Sequence, residues 1–399
     1  MFLGFLLAIL LGVTAGTLTG LIPGLHINLI SVLIVSLAGK LTDLKIEYAA
    51  ATIISMAITH TFLDSIPSVF LGVPDPDKVA VALPMHRMAY EGEAHQAVML
   101  TVFGSLMSIL ACIITFPVFI ELFKWLQDSV KSYTGYVLLI LTALLIIQDK
   151  SKSKAALVFV ASGILGYLTL NLPALEEPLL PLLSGLFGVS TLVLSIKTGS
   201  KLPEQKISDI DIQRKPKYKS VASAVIAGAA GSFLPGMGPS QIAILGSRLF
   251  RGLGEKGYII LVGGLNTANM ALSIAMLYSV NKARNGAIVA LSQITSIDFK
   301  QTVLLYTIGL IASGIATLEA IALSRKAANT ITKLDPKKIN LAIIAFIAIL
   351  ATVFSGWIGI IVLVTATALG ITCNYLEVGK NHLMGCLLIP VMIYFLVQR

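Results

Sequence analysis

Hydrophobic positions in this chain fall in long runs, with neither the strict alternation of a surface strand nor the single stripe of a soluble helix. No Asp, Glu, Lys or Arg occurs between Phe2 and Gly39. A helix needs about 20 apolar residues to cross the hydrocarbon of a bilayer, and on that measure further spans are predicted over residues 47–73, 96–123, 133–148, 155–172 and 178–196. Segment 74–95 is turn-rich and then amphipathic, which predicts a surface-lying helix. Residues 197–219 are the one long hydrophilic connection, and apolar runs resume beyond them. The predicted fold is an all-α polytopic membrane protein, multi-pass in the cell membrane. Residues 1–196 and 220–399 are two transmembrane repeats, and 197–219 is a cytoplasmic linker between them.

Two of the apolar runs are interrupted in the same way. Pro23 and Gly24 break the first, and Pro235, Gly236 and Gly238 break another, with the two prolines 212 residues apart. An interior Pro removes one helical hydrogen bond and clashes with the preceding turn. Thr101-Val102 recurs as Thr302-Val303, and Val79 to Leu83 is echoed by Ala287 to Leu291. A two-fold internal repeat follows. Loop charges suggest its sense, because Lys and Arg concentrate in cytoplasmic loops. With 197–219 inside, Lys150, Lys152 and Lys154 fall inside and Glu176 and Glu177 outside. Residues 121–131 then fall outside, whereas their counterpart 325–338, with two Arg or Lys at its start and three near its end, falls inside; the counterpart of 149–154, around Ser355-Gly356-Trp357, bears no charge. Equivalent loops on opposite faces predict inverted-topology repeats with paired re-entrant or discontinuous helices.

Composition agrees. Of 399 residues, 56% are hydrophobic and only 12% charged, and the mean hydropathy is +0.90, outside the range of soluble domains. A net charge of +9 is assigned to topology, with no nucleic-acid partner expected. Cys112, Cys373 and Cys386 are too scattered for a zinc or redox site and read as packing residues. The N-terminal run lacks a basic n-region, so the first segment is expected to be retained.

Unpaired backbone groups in hydrocarbon cost several kcal/mol each, so a broken membrane helix implies a use. Helix starts just after the two breaks would turn free N–H groups and a positive dipole end toward the midplane, a setting for a carboxylate or phosphate. The candidate anion-binding residues are therefore Pro23, Gly24, His26, Asn28, Pro235, Gly236, Gly238, Ser240 and Gln241. The bland alternative is a kink that only permits close helix packing. Within the span 47–73, Asp64 is the only acid between Glu47 and Asp75, and an intramembrane carboxylate is a functional candidate. His60 lies four residues before it, so the two can share a helical face and pair with each other or hold a coupling ion, with Ser65 beside them. Their counterparts are Asn266 and Asn269, which add neutral ligands. A lone His and Asp at this spacing do not specify a metal, and no cofactor beyond a coupling Na+ or H+ is expected. No nucleophile stands at a recognisable spacing to a base, so an enzyme is not expected. Arg87 reads as an interface anchor, with contact to an anionic substrate as the alternative, and the similar rim of Arg248, Arg251, Glu255 and Lys256 reads as setting topology.

The paired Pro-Gly motifs, the proline turn after the first long span, Pro84-Met85 followed by Glu91 to Ala94, Leu234 to Gly238 and the Asn266 to Asn269 segment resemble the large permease subunit of the tripartite tricarboxylate transporters. That resemblance implies a secondary transporter for small organic anions, with a small membrane subunit and an extracytoplasmic binding protein as partners; a homodimer is compatible with it. The chain departs from the pattern at His26, where a glycine is usual, at Thr59 to Asp64 and at Asp75. It is also shorter. A related group handles polyprenyl-phosphate lipid carriers, which makes a lipid-carrier translocase the alternative.

Overall fold

The computed structural model describes residues 2–22, 27, 30–31, 34–35, 45–71, 82–130, 133–175, 177–198, 202–208, 210, 214–234, 242–243, 252–283, 285–333 and 335–397. Among these residues there is no strand, and nine helical stretches are long and apolar enough to cross a membrane. The chain is a multi-pass membrane protein. Both Pro-Gly breaks, with Pro23, Gly24, His26, Asn28, Pro235, Gly236, Gly238, Ser240 and Gln241, lie outside the described residues.

Helix α1 (Phe2–Leu21) stops two residues before Pro23. It runs parallel to α2 (Ile46–Leu63), since Gly12 meets Thr52 and Ser55, Gly16 meets Met56 and Thr59, and Gly20 meets Leu63. The approach is close enough that a Cβ on Gly16 would stand 2.5 Å from the Met56 carbonyl oxygen. In lipid no hydrophobic force drives helices together, so rows of small residues that let backbones touch supply the packing. Helix α2 is nearly wholly buried and passes through a turn at Asp64 into α3 (Ser65–Phe70). Pro67 accounts for this hitch, because its ring takes the space of the carbonyl four residues back, at Leu63, and offers that carbonyl no N–H.

After the short α4 (Ala82–Tyr90) comes the 37-residue α5 (Ala94–Val130). Helices α6 (Thr134–Ile147), α7 (Lys152–Leu170), α8 (Leu179–Leu183) and α9 (Ser190–Thr198) complete the first half, with a π turn over Ser184–Val189 linking the last two. Part of the hydrophilic connection docks on α4 and α5. The Lys206 N–H donates to the Gly92 carbonyl (2.7 Å), and the Gln205 side chain accepts from the Ala94 N–H at the start of α5 (2.9 Å).

The second half begins with α10 (Arg214–Phe233), which stops two residues before Pro235, as α1 does before Pro23. It too runs parallel to the buried helix that follows it, α11 (Gly254–Val280): Gly264 meets Ala224, and Gly228 meets Ala268. Next come α12 (Gly286–Ile294) and α13 (Phe299–Thr330), the latter opened by a capping box between Asp298 and Gln301. The long helices are exchanged between halves. In the first half α5 lies on α11, with a Cβ on Gly104 falling 2.2 Å from the Ile260 carbonyl oxygen, and in the second half α13 lies on α2, with Gly309 over Ile54 and Ile58. One continuous core results, centred on α2 and α11.

Helix α14 (Pro336–Tyr375) is two arms reversed at Gly356, whose φ of 62° and ψ of −164° suit only glycine. Asn340 at the start of the first arm bonds Ser195 (3.0 Å), while Ser355 at its end donates to the Glu177 carbonyl (2.9 Å). The second arm returns along the π turn, where Gly370 meets Leu186 and Ser190. A 3₁₀ turn (Lys380–Met384) and α15 (Gly385–Val397) end the fold. Asp149 holds that turn, accepting from the N–H groups of Ser151 (3.0 Å) and Gly379 (3.4 Å) and meeting His382 Nε2 at 3.0 Å. Burial would raise the Asp149 carboxyl, but these donors together hold it below its ordinary value. All three cysteines are buried and free.

Candidate functional site

Helices α2 and α11 cross at a wholly buried polar patch. Thr61 and Thr267 share a hydroxyl contact of 2.9 Å, and one turn away the Asn266 amide donates to Asp64 Oδ2 at 3.1 Å. Asp64 is 2% exposed and Asn266 5%, so this carboxylate stands deep among apolar side chains. A buried charge is retained only where donors replace its water. The hitch imposed by Pro67 brings Asp64 to this crossing, and its own carbonyl accepts from Ser68 Oγ at 2.9 Å. Ser65, expected beside Asp64 as a ligand, is buried and directs its hydroxyl to the Phe62 carbonyl (3.3 Å).

Each crossing helix is also tied to the helix packed in parallel on it, which stops just before a Pro-Gly pair. His60 Nδ1 lies 3.1 Å from Thr19 Oγ1, in the last turn of α1. Ser232, in the last turn of α10, donates toward the Asn269 carbonyl (3.0 Å) and Oδ1 (3.2 Å). The structure thus brings Asp64 and Asn266 together, and links His60 and Asn269 to the helices that lead into Pro23 and Pro235. Thr59 and Ser55, facing α1 from α2, are fully buried hydroxyls whose oxygens have no hydrogen-bond partner among the described residues. An apolar hollow of about 150 Å³ opens where α1 ends, lined by Leu21, Ile66, Pro67, Phe70, Ala327 and Ile331 among others.

Outside the crossing, Arg87 pairs with Glu255 (2.9 Å) and Lys256 approaches Glu93 (3.9 Å), exposed or part-exposed contacts of small energetic weight. His86 on α4 meets the Ser68 carbonyl at 2.9 Å; burial holds its proton affinity below the ordinary histidine value, against the pull of that carbonyl and with the Lys380 charge adding to the depression. Among the described residues no three His, Cys, Asp or Glu side chains gather as a metal site would need.

Sequence reasoning passed over Thr19, Thr61, Thr267 and Ser232, because hydroxyls in apolar helices are common and carry no distinguishing spacing. It also passed over Glu319, whose signal was available. Between Lys300 and Arg325 it is the only charged residue, in the middle of an apolar run. Glu319 meets Thr17 of α1 at 2.8 Å.

Comparison with known proteins gives a consistent result. A family model described as the Tripartite tricarboxylate transporter TctA family matches residues 6–385. A protein of Methanocaldococcus jannaschii, described only as uncharacterized, is 29% identical over 408 aligned positions, covering 98% of this chain and 99% of that protein. No solved structure matches.

Proposed function

Because the chain belongs to the TctA family of tripartite tricarboxylate transporters, we propose that it is a secondary active permease for small organic anions such as di- or tricarboxylates, coupled to Na+ or H+. Membership makes it a membrane component of a transport system. The small membrane subunit and the extracytoplasmic binding protein are partners that such a system implies. The family description gives no support to the lipid-carrier alternative.

The buried Asp64–Asn266 contact carries the reading. It joins one helix from each half, and each of those helices packs in parallel on a helix that stops just before a Pro-Gly pair. We take the two halves to be inverted repeats. In support, α2 runs with α13 (Ile46 and Ala50 lie by Gln301 and Leu304, and Ile54 and Ile58 by Gly309), and α13 runs against α5 (Ser324 meets His95 and Phe299 meets Phe116). Because α5 runs with α11 (Glu93 meets Lys256 and Gln127 meets Lys282), α2 and α11 run in opposite directions. The exchange of α5 and α13 between halves has the same two-fold character. Irregular backbone at membrane depth is tolerated only where it lines a cavity or is buried in protein, and discontinuous helices at a repeat interface are the usual setting of a transporter's site. On this reading Pro23, Gly24, His26, Asn28, Pro235, Gly236, Gly238, Ser240 and Gln241 surround the anion, Asn266 and Asn269 add amides, and Asp64 with His60 and Ser65 serves the coupling ion.

The test is uptake of labelled citrate and succinate into proteoliposomes under imposed sodium and proton gradients. Accumulation of either acid under one gradient is expected. Absence of uptake under both gradients, by protein reconstituted with its partner subunits, would overturn the reading.

A further inference from the structure

The described helices form two packed groups. Helices α1–α5 and α10–α13 enclose the crossing of α2 and α11, whereas α6–α9, α14 and α15 pack chiefly on one another. Every residue assigned above to the anion or the coupling ion belongs to the first group or to the segments that follow α1 and α10. The second group meets the first beside the segment that carries Asp64. Leu71, at the end of α3, packs on the apolar cluster that contains Val189 and Leu192, and three residues earlier the Ser68 carbonyl meets His86 Nε2 at 2.9 Å. Thr191, in the first turn of α9, stands between Val189 and Leu192 in sequence. Its hydroxyl donates to the Phe187 carbonyl (2.6 Å) and accepts from Lys380 Nζ, which reaches it from the 3₁₀ turn before α15. The Lys380 charge is felt across the junction at His86.

Lys380 stands apart from the other cations of its surroundings. Lys152 and Lys154 on α7, Lys197 on α9 and Lys337 and Lys338 on α14 are all exposed, as residues that only set topology can be, whereas Lys380 is half-buried. An ammonium has three protons to donate, and Thr191 accepts one. Among the described residues no carboxylate pairs with Lys380. Asp149, the acid that holds this turn, already accepts from the Ser151 and Gly379 N–H groups and meets His382, and Glu377 is exposed. A charge drawn away from water without an opposite charge is costly, and an anion that brings one removes that cost.

We propose that Lys380, positioned by Thr191, is a substrate-binding cation of the carrier, its ammonium taking a carboxylate of the transported anion where the second group of helices meets the first. The assignment rests on the permease reading above and supplies what that reading lacks. A helix start offers about half an elementary charge, so two of them together fall short of the two or three negative charges of a di- or tricarboxylate. Lys380 adds a full positive charge. It also places the anion against both groups of helices, since Lys380 and Thr191 belong to one, while Ser68, whose hydroxyl donates to the Asp64 carbonyl, and His86 belong to the other.

The test is equilibrium binding of labelled citrate and succinate to the full chain with its partner subunits, at one fixed pH, beside their uptake into proteoliposomes. Lys380→Met is expected to weaken binding at least about tenfold, and Lys380→Arg, which keeps the charge, to hold it within about threefold. Without ligand, Lys380→Met is expected to melt no lower than wild type, because no ion pair is lost. Wild-type affinity in folded Lys380→Met, or a lowered midpoint with unchanged affinity, overturns the site. A second measurement needs no variant at Lys380: acetylation of that residue in wild type, read by mass spectrometry, is expected to slow when citrate is added. Equal labelling with and without citrate overturns the site even where Lys380→Met fails to fold. In each of these outcomes wild-type uptake leaves the permease reading standing, whereas a wild type that neither binds nor takes up either acid overturns that reading and the site with it.

Discussion

In the first half, the helix that stops before Pro23 rests on a partner bearing His60 and Asp64; in the second, the helix that stops before Pro235 rests on a partner bearing Asn266 and Asn269. The scaffolding is alike in both, with small residues bringing the backbones together, a parallel pair, and a hydroxyl in the last turn of the helix that stops before the Pro-Gly pair bonded to the buried helix. Only the chemistry differs, titratable on one side and neutral amide on the other. A neutral side chain binds the same way at every pH and ion concentration, so it suits a fixed substrate contact. A carboxylate changes charge with a bound cation, so it suits coupling. On the permease reading, that contrast puts Asp64 with coupling and the two asparagines with the substrate.

The largest effect should come from neutralising the charged side. Asp64→Asn is expected to reduce gradient-driven citrate accumulation by about 10- to 100-fold, the equivalent of one hydrogen bond to a charged group. Folded protein, read by size-exclusion profile, should be unchanged. Wild-type accumulation would return Asp64 to a structural role and erase the contrast between halves.

Next in size is the scaffold that both halves share. Gly16→Val forces side-chain atoms into the Met56 carbonyl, and overpacking of this kind costs about 1–3 kcal/mol. A lower thermal midpoint in detergent is expected, and a similar loss from Gly228→Val, which meets Ala268 and Asn269. If one half tolerates its valine and the other does not, the two pairs are not equivalent.

Asn269→Ala removes the side-chain partner of Ser232, a neutral bond worth about 1 kcal/mol. Uptake of citrate should weaken without any change in its dependence on the driving gradient. An altered gradient dependence would mean that the second half also takes part in coupling.

The smallest effect is at His86. Its folded-state proton affinity is depressed by burial, so the unfolded chain binds the proton more readily, and stability should fall as pH drops below about 6.5, the ordinary histidine value. The acid-side loss of thermal stability is expected to shrink in His86→Gln. An identical pH profile in that variant would show that His86 does not contribute.

The spans were legible because an apolar run of the required length has few alternatives in a charged-poor chain. The reversal at Gly356 was also within reach, since the repeat register pointed to Ser355-Gly356-Trp357 as a loop although it bears no charge. The π turn over Ser184–Val189 was not, because a single widened turn leaves no mark in hydrophobic periodicity. Asp64 and the two asparagines were singled out by polarity in apolar surroundings and as counterparts of each other, but the hydroxyls of Thr19 and Ser232 that meet His60 and Asn269 were not. The contact of His60 with Thr19 follows from how closely α1 packs on α2, which the row of glycines permits in three dimensions. Glu319 was legible by the same polarity signal as Asp64, being the one charged residue between Lys300 and Arg325, whereas its partner Thr17 was not.

The central claim is that the two halves meet functionally at Asp64 and Asn266. A double-mutant cycle on gradient-driven citrate accumulation tests it most directly, using Asp64→Asn, Asn266→Ala and the pair together. Residues that act through one shared contact are non-additive by about 0.5–3 kcal/mol, so the double variant is expected to be no worse than Asp64→Asn alone. Losses that simply add would mean that the carboxylate and the amide act independently, and would contradict the claim.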